Sequence, residues 1–302
     1  MMRPVSEPHI RKVRPDEIEE VWRVHVASSH DGMARRGQAV TRPDDAPVAS
    51  DARAALASDP DGYFCAVEDG RIRGMVSALV RGRLWYLSMF FVLPDDQSRG
   101  LGRALIERAL AYGEARGAEI RFTWATLDPR AQARYVMAGM APRWPIYRVD
   151  GDPAAVARLR ERAALDPRER EVPCDPGVAE KLTAEVLGED RADDLAHWRG
   201  DGGSALAIAR GSDVVAFAYR RGTRIGPAAG RDEAALFRAM AAAAISGAAA
   251  GESVTARIPG ACTSLLEALV GCGFRLGAPT LLMASRLFGR PELYVPSGPI
   301  LY

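Results

Sequence analysis

The chain has 302 residues, 48% of them apolar, and 40 basic side chains balance 39 acidic ones for a formal charge of +1. That length allows one large domain or two ordinary ones around a real core. The balanced charge excludes a global field that would favour nucleic acid or an anionic membrane. No long uncharged apolar run is present to span a bilayer, and the Ala-rich stretch at 239–250 is too short and too small in side chain. The opening MMRPVSEPH carries no apolar secretory core. Cys65, Cys174, Cys262 and Cys272 form no CxxC pair and have no histidines at metal spacing. A metal site is therefore not expected, and a reducing, cytoplasmic compartment is.

Residues 15–30 open on Pro15 and acidic side chains, as a helix N-terminus favours. Ile18, Val21, Trp22 and Val26 form one apolar stripe at helical spacing. A polar loop with Arg35, Arg36 and Arg42 follows, then a second helix near 47–58. Two β-prone runs from Tyr63 and Arg71 meet at Asp69-Gly70, which predicts a hairpin. A strand over 84–93 stops at Pro94, and Gly100 and Gly102 open an amphipathic helix at 99–116 that Gly117 closes. A strand from Ile120 comes next, then a short helix with Asp128 as cap and Pro129 at its first position. Gly139 breaks it before a strand from Trp144. Residues 1–150 thus read as a mixed α/β lobe.

Residues 151–176 read as a connector with one short helix at 153–164, and then the element order repeats. A helical region at 177–199 precedes strands from Ser204 and Val214, a short strand at 223–225 and a long helix at 231–246. A strand from Ser253, a helix from Cys262 and a strand from Thr280 complete the series. The corners Ala138-Gly139-Met140 and Cys272-Gly273-Phe274 fall at matching places, so two lobes of one fold are predicted. The copies differ in chemistry. The second loop, GPAAGRD at 226–232, lacks the polar glycine arrangement of the first, and Leu269 stands where the first lobe has Tyr135. The apolar, Pro-rich tail at 292–302 is expected to lie against a surface.

Chemistry concentrates at 90–108. A strand gives way to a polar loop, and glycines open a helix whose first N–H groups lack intrahelical partners that a phosphate could supply. Two glycines could simply turn the chain, but Gln97 and Arg99 at this spacing favour phosphate binding.

QSRGLG at 97–102, following a strand and opening a helix, resembles the coenzyme A pyrophosphate loop of the GNAT superfamily of N-acetyltransferases, a Q/R-x-x-G-x-G/A pattern. ARYVMAGM at 133–140 is similar to that family's segment in which an alanine-rich helix presents a tyrosine four residues before a glycine. The resemblance covers roughly residues 10–150, and the later part looks like a degenerate copy, as in tandem acetyltransferases of this family. It implies an α/β fold of two acetyltransferase-like lobes, each a mixed twisted sheet flanked by helices. The catalytic lobe would span 1–150, the connector 151–176 and the degenerate lobe 177–302.

The resemblance further implies acetyl-CoA as co-substrate and no metal. Phe91, Val92, Gln97, Ser98, Arg99, Gly100, Leu101, Gly102 and Arg103 would hold the ligand, chiefly through main chain, and Tyr135 would protonate the departing thiolate. Candidates for the acceptor side are His30, at the start of the variable loop, Ser88 and Trp124, whereas His25 reads as a surface or packing residue. Two departures stand out: Met140 replaces the usual aromatic of the glycine corner, and the strand at 84–93 holds no acidic base. Proton removal then falls to another group, to water, or to an amine that is already partly neutral. The implied activity is acetyl transfer to a primary amine of a small molecule by direct attack, in a cytoplasmic monomer or homodimer with no nucleic-acid or membrane partner. A non-catalytic acyl-CoA or metabolite sensor is the alternative that the missing carboxylate leaves open.

Overall fold

Two structural units emerge in the computed structural model, which describes residues 9–40, 43–164, 166–246 and 251–302. The first eight residues, Arg42 and the end of the Ala-rich stretch lie outside the described residues. The first unit takes the chain to Thr123 and again over Asp128–Met140, and most of the remainder forms the second. Among the described residues no helix is long and apolar enough to cross a membrane.

In the first unit, β1 (His9–Lys12), β2 (Tyr63–Glu68), β3 (Arg71–Arg81), β4 (Leu84–Val92) and β5 (Ile120–Ala125) follow one another across the sheet. All neighbours are antiparallel except β4 and β5, which run parallel. The predicted hairpin is present, with Asp69 and Gly70 at φ 50 and 73, the two positive values that a tight primed turn requires. α1 (Ile18–Arg35) and α3 (Leu101–Ala115) both pack on β3. That double cover explains why β3 reads as an almost continuous apolar run and not as an alternating one. α2 (Ser50–Ser58) follows α1, and the chain just after it supplies a buried tie. Asp59 accepts from Val80 N–H at 2.9 Å, Tyr112 O–H at 2.6 Å and Arg81 at 2.6 Å, which joins β3 to α3. α4 (Pro129–Met137) starts as predicted, with Asp128 accepting from Arg130 N–H at 2.9 Å.

The second unit orders its strands β13 (Thr280–Ala284), β6 (Ala141–Gly151), β11 (Val254–Pro259), β10 (Arg224–Gly230), β9 (Asp213–Arg221), β8 (Ser204–Arg210) and β7 (Glu169–Pro173). β12 (Arg275–Leu276) also pairs with β6, and β14 (Tyr294–Val295) with β10. The helices are α5 (Pro153–Arg162), α6 (Pro176–Leu187), α7 (Ala192–Gly200), α8 (Glu233–Ile245) and α9 (Thr263–Gly271). Small side chains make α8 a close-packing element: Ala235, Ala239 and Ala241–Ala244 are buried against the strands.

Two boundaries differ from the sequence expectation. The first lobe was expected to run to 150, but its structural unit ends at Met140, because β6 pairs along six residues with β11 and buries Val149 in the second unit's core. A strand's sequence does not specify which neighbour it will find. The connector at 151–176 is likewise part of the second unit. α5 inserts Ala155, Val156 and Leu159 into that core, and β7 pairs with β8 as β1 does with β2.

Candidate active site

The site begins with an irregularity in β4. Ser77 pairs with Met89 and Ala78 with Leu87, so Ser88 is an extra residue that bulges the strand. The parallel pairing of β4 with β5 ends at the same level, at Leu87 and Thr123, where Thr123 Oγ1 donates to Leu87 O at 2.9 Å. Beyond that point residues 88–92 remain on β3 while β5 departs, leaving a fork.

Antiparallel alternation decides what faces the fork. Leu93 N–H donates to Arg73 O at 2.9 Å. Phe91, two residues earlier, therefore also turns its main chain to β3, and Phe90 and Val92 turn theirs to the vacated side. Val92 O is already taken by Ser28 Oγ and Gln97 Nε2, each at 3.1 Å. Phe91 thus differs from expectation. Its ring packs edge-on against His25 at 4.5 Å, and Phe90 is the neighbour with main chain toward the fork. His25 lies between Trp22 and Phe91 and is a packing residue, as expected.

After a short turn at Pro94–Asp96, Ser98 adopts φ 68 and Gly100 φ 88, and α3 starts at Leu101. A side chain held left-handed, as at Ser98, costs roughly 1–2 kcal/mol, and such strain clusters at ligand sites. Arg103 and Ala104 N–H both return to Gly100 O, at 3.0 and 3.1 Å. The N–H groups of residues 98–102 find no acceptor among the described residues. Successive unpaired N–H groups at a helix start make an anion cradle.

The side chains around that cradle mostly brace it. Gln97 donates to Val92 O and accepts from Arg130 at 2.9 Å, which ties the loop to β4 and α4. Arg99 folds back onto protein, forked on Glu68 at 2.6 and 3.0 Å and reaching Asp96 at 2.7 Å. Its guanidinium holds the Glu68 carboxyl below the usual carboxylate range. The Arg99 side chain is thus held in an internal ion pair, and only its N–H faces the cradle. Leu101 is a core side chain, and Arg103 pairs with Glu107 at 2.8 Å in solvent. At Gly102 a Cβ would stand 3.2 Å from Phe90 Cζ and 3.5 Å from Arg134 Nε. Arg134 is the residue that the sequence reading missed. It is half-buried at the start of α3, and its side chain has no hydrogen bond or ion pair among the described residues. Its position directly before Tyr135 was the available signal.

Tyr135 is buried on α4, its ring 6.3 Å from that of Phe90, and its hydroxyl has no partner among the described residues. Burial, reinforced by the negative charge of Asp128, pushes the phenol well above its ordinary value, so it stays protonated and has a proton to give. Met140 is buried, in keeping with an apolar exchange at the corner.

His30 lies within α1 and not at the start of a loop, because the helix continues to Arg35, aided by an Arg35–Asp31 pair at 2.9 Å. His30 Nδ1 is 2.9 Å from Asp44 Oδ1, and its Nε2 is enclosed without a partner. Ser88 is the bulge residue itself. Trp124 does not act as an exposed lining residue. It is buried, its indole N–H donates to Thr280 Oγ1, and its ring meets that of Tyr302 edge-on. Burial pushes the Cys65 thiol up to about 11 and the Cys262 thiol up to about 12, which makes both poor nucleophiles.

Comparison with known proteins bears on this geometry. The acetyltransferase (GNAT) family model matches residues 21–140, ending where the first unit ends. An uncharacterized N-acetyltransferase of Archaeoglobus fulgidus is 30% identical over 122 residues, 38% of this chain and 80% of that protein. Among solved structures, a Pyrococcus horikoshii protein assigned as an acetyltransferase superposes with a TM-score of 0.76 at 16% identity, over 97% of this chain and 95% of that one. A tandem GNAT protein from the clavulanic acid biosynthesis pathway superposes with a TM-score of 0.59 at 14% identity, over 92% of this chain and 98% of that one. Sequence and fold agree, and the chain belongs to the GNAT family of acetyltransferases, in a tandem arrangement.

Proposed function

We propose that the first unit transfers an acetyl group from acetyl-CoA to a primary amine of a small molecule, by direct attack of the amine on the thioester. The observation that carries this reading is the run of unpartnered N–H groups at 98–102 between the forked strand and Tyr135. The name of the Archaeoglobus relative supports acetyl as the group transferred. The diphosphate would lie on these N–H groups, where the helix start adds a favourable field and Arg134 a nearby charge. The pantetheine amides would pair with Phe90 O and with Val92 N–H, since Val92 O is already held by Ser28 and Gln97. The Phe90 N–H would polarise the thioester carbonyl and hold the oxyanion as the amine adds. Collapse breaks the C–S bond, and Tyr135 gives its proton to the leaving sulfur. The ammonium proton goes to His30 Nε2, whose ring Asp44 orients through Nδ1. No metal and no covalent enzyme intermediate enter this route.

The test is turnover of an amine panel together with acetyl-CoA binding by calorimetry. Tyr135→Phe is expected to lower kcat by ~10²-fold or more while the acetyl-CoA Kd stays within about twofold. Undiminished turnover in this variant would remove Tyr135 from the chemistry, and failure of the parent chain to bind acetyl-CoA would end the proposal. Because β4 carries no acidic side chain, a second reading is an acyl-CoA sensor. Tight acetyl-CoA binding without turnover of any amine would favour it.

A further inference from the structure

In the second unit β12, β6, β11 and β10 lie side by side, and their register collects charge. Arg275 pairs with Asp150, Arg148 with Arg257, Asp150 with Thr255, and Thr255 with Arg224. Directly paired residues share a face, and so do residues two apart on one strand. Four arginines and a single carboxylate therefore stand on one face, whereas Val149, Ala256 and Ile225 point into the core on the other.

Arg148 is partly neutralised by Asp150, with Nε to Oδ1 at 2.9 Å. Arg257 is not. It is half-buried, it lies directly across from Arg148, and its side chain has no hydrogen bond or ion pair among the described residues. Burial first, and then the charges of Arg148 and Arg224, hold its pKa below the ordinary arginine value. Like charges placed opposite each other weaken a sheet, and a half-buried cation without a partner disfavours folding. Folding alone gives no reason for this arrangement. An anion does, because a planar guanidinium fork binds phosphate oxygens in pairs.

We propose that this face is a binding site for a small polyanion bearing phosphate groups, with Arg257 at its centre and Arg148 and Arg224 on either side. The site is built from the second unit alone and owes nothing to the loop at 97–102. Strand spacing puts the guanidiniums of paired residues about 5 Å apart at their base, a span suited to one phosphate or a diphosphate.

The experiment uses the full chain carrying Gly100→Glu, which blocks the loop, with inorganic pyrophosphate as probe at constant ionic strength. Calorimetry is expected to show one saturable site and thermal unfolding a matching rise in Tm. Arg257→Met in the same background keeps the packed stem and removes the charge. It should weaken pyrophosphate at least tenfold, abolish the Tm response, and leave the ligand-free Tm equal or higher. Arg148→Met should weaken binding by less. Absence of pyrophosphate binding, equal binding by the Arg257→Met protein, or a lower ligand-free Tm in that protein would each overturn the proposal. If Gly100→Glu impairs folding, stoichiometry in the otherwise unaltered chain decides: Arg257→Met must remove one site, and unchanged stoichiometry refutes the assignment.

Discussion

The two units build the same fork and finish it differently. In the first, β4 and β5 part after Leu87 and Thr123, and among the described residues the edge of β4 beyond that level has no partner strand. In the second, β10 and β11 part after Ile225 and Ala256, and β14, from the chain's own tail, pairs with Ala228 and Ala229 on the edge that β11 leaves. The helix starts differ in parallel. Gly100 caps α3 with no side chain on the N–H groups, whereas Asp232 caps α8, accepting from Ala235 N–H at 2.8 Å and pairing with Arg210 at 3.1 Å. A carboxylate held in the chain there performs the task that a phosphate would perform on α3. The apolar tail lies against the protein, as expected, and does so in part as the two-residue strand Tyr294–Val295. The comparison teaches that the fold supplies a fork and a helix start to both units, and that filling these two places from within removes the ligand site without disturbing the fold.

Several changes would break or sharpen this contrast. The largest effect is expected at the open site. Gly100→Glu adds a side chain at φ 88 and puts a carboxylate on the N–H cradle. It should weaken acetyl-CoA by about 100-fold or more in calorimetry, and binding retained within tenfold would break the comparison. In the closed fork, Gly226 has φ 125, and a Cβ there would stand 2.6 Å from Pro296 O. Gly226→Ala should therefore cost about 2–3 kcal/mol in urea unfolding, since the tail can no longer lie against β10. An unchanged midpoint would mean that β14 is not held there.

Alkaline pH probes the same tail. Burial pushes Tyr294 up to about 12, against an ordinary value of 10. The folded chain then holds a proton that the unfolded chain has lost, so this stability is intact below pH 10 and disappears as pH rises to about 12. Tyr294 adds about 1.4 kcal/mol per pH unit to the slope in that window, beside what other buried phenols such as Tyr135 add. Tyr294→Phe should lower the slope by about that share, and a slope unaltered by that change would place the effect elsewhere. The smallest effect is expected for Asp232→Ala, a loss of about 1 kcal/mol for the cap. It should bring no acetyl-CoA binding, because β14 still fills the fork. New binding would show that the cap alone closes the second site.

Much of this architecture is legible in the amino-acid sequence. The loop at 97–102, Tyr135, the Asp69-Gly70 hairpin and the Asp128 cap are set by backbone preferences and near-neighbour hydrogen bonds, which a short window of sequence contains. The role of Arg99 is not legible there, because its partner Glu68 lies 31 positions earlier, at the end of β2. Nor is the exchange of Phe91 for Phe90 at the fork, which depends on how β4 is registered on β3. Trp124 and Thr280 are 156 positions apart, so nothing local could tell that the indole was satisfied.

The sequence by itself determined the family, the doubled order of elements and the glycine loop, because φ preference, capping and periodicity act over a few residues. Tertiary structure alone decided that β6 joins the second unit, that Arg99 turns inward while Arg134 has no partner among the described residues, that the tail fills one fork, and that Arg257 faces Arg148. Strand pairing and burial bring distant residues together, and their physical chemistry exists only once they meet.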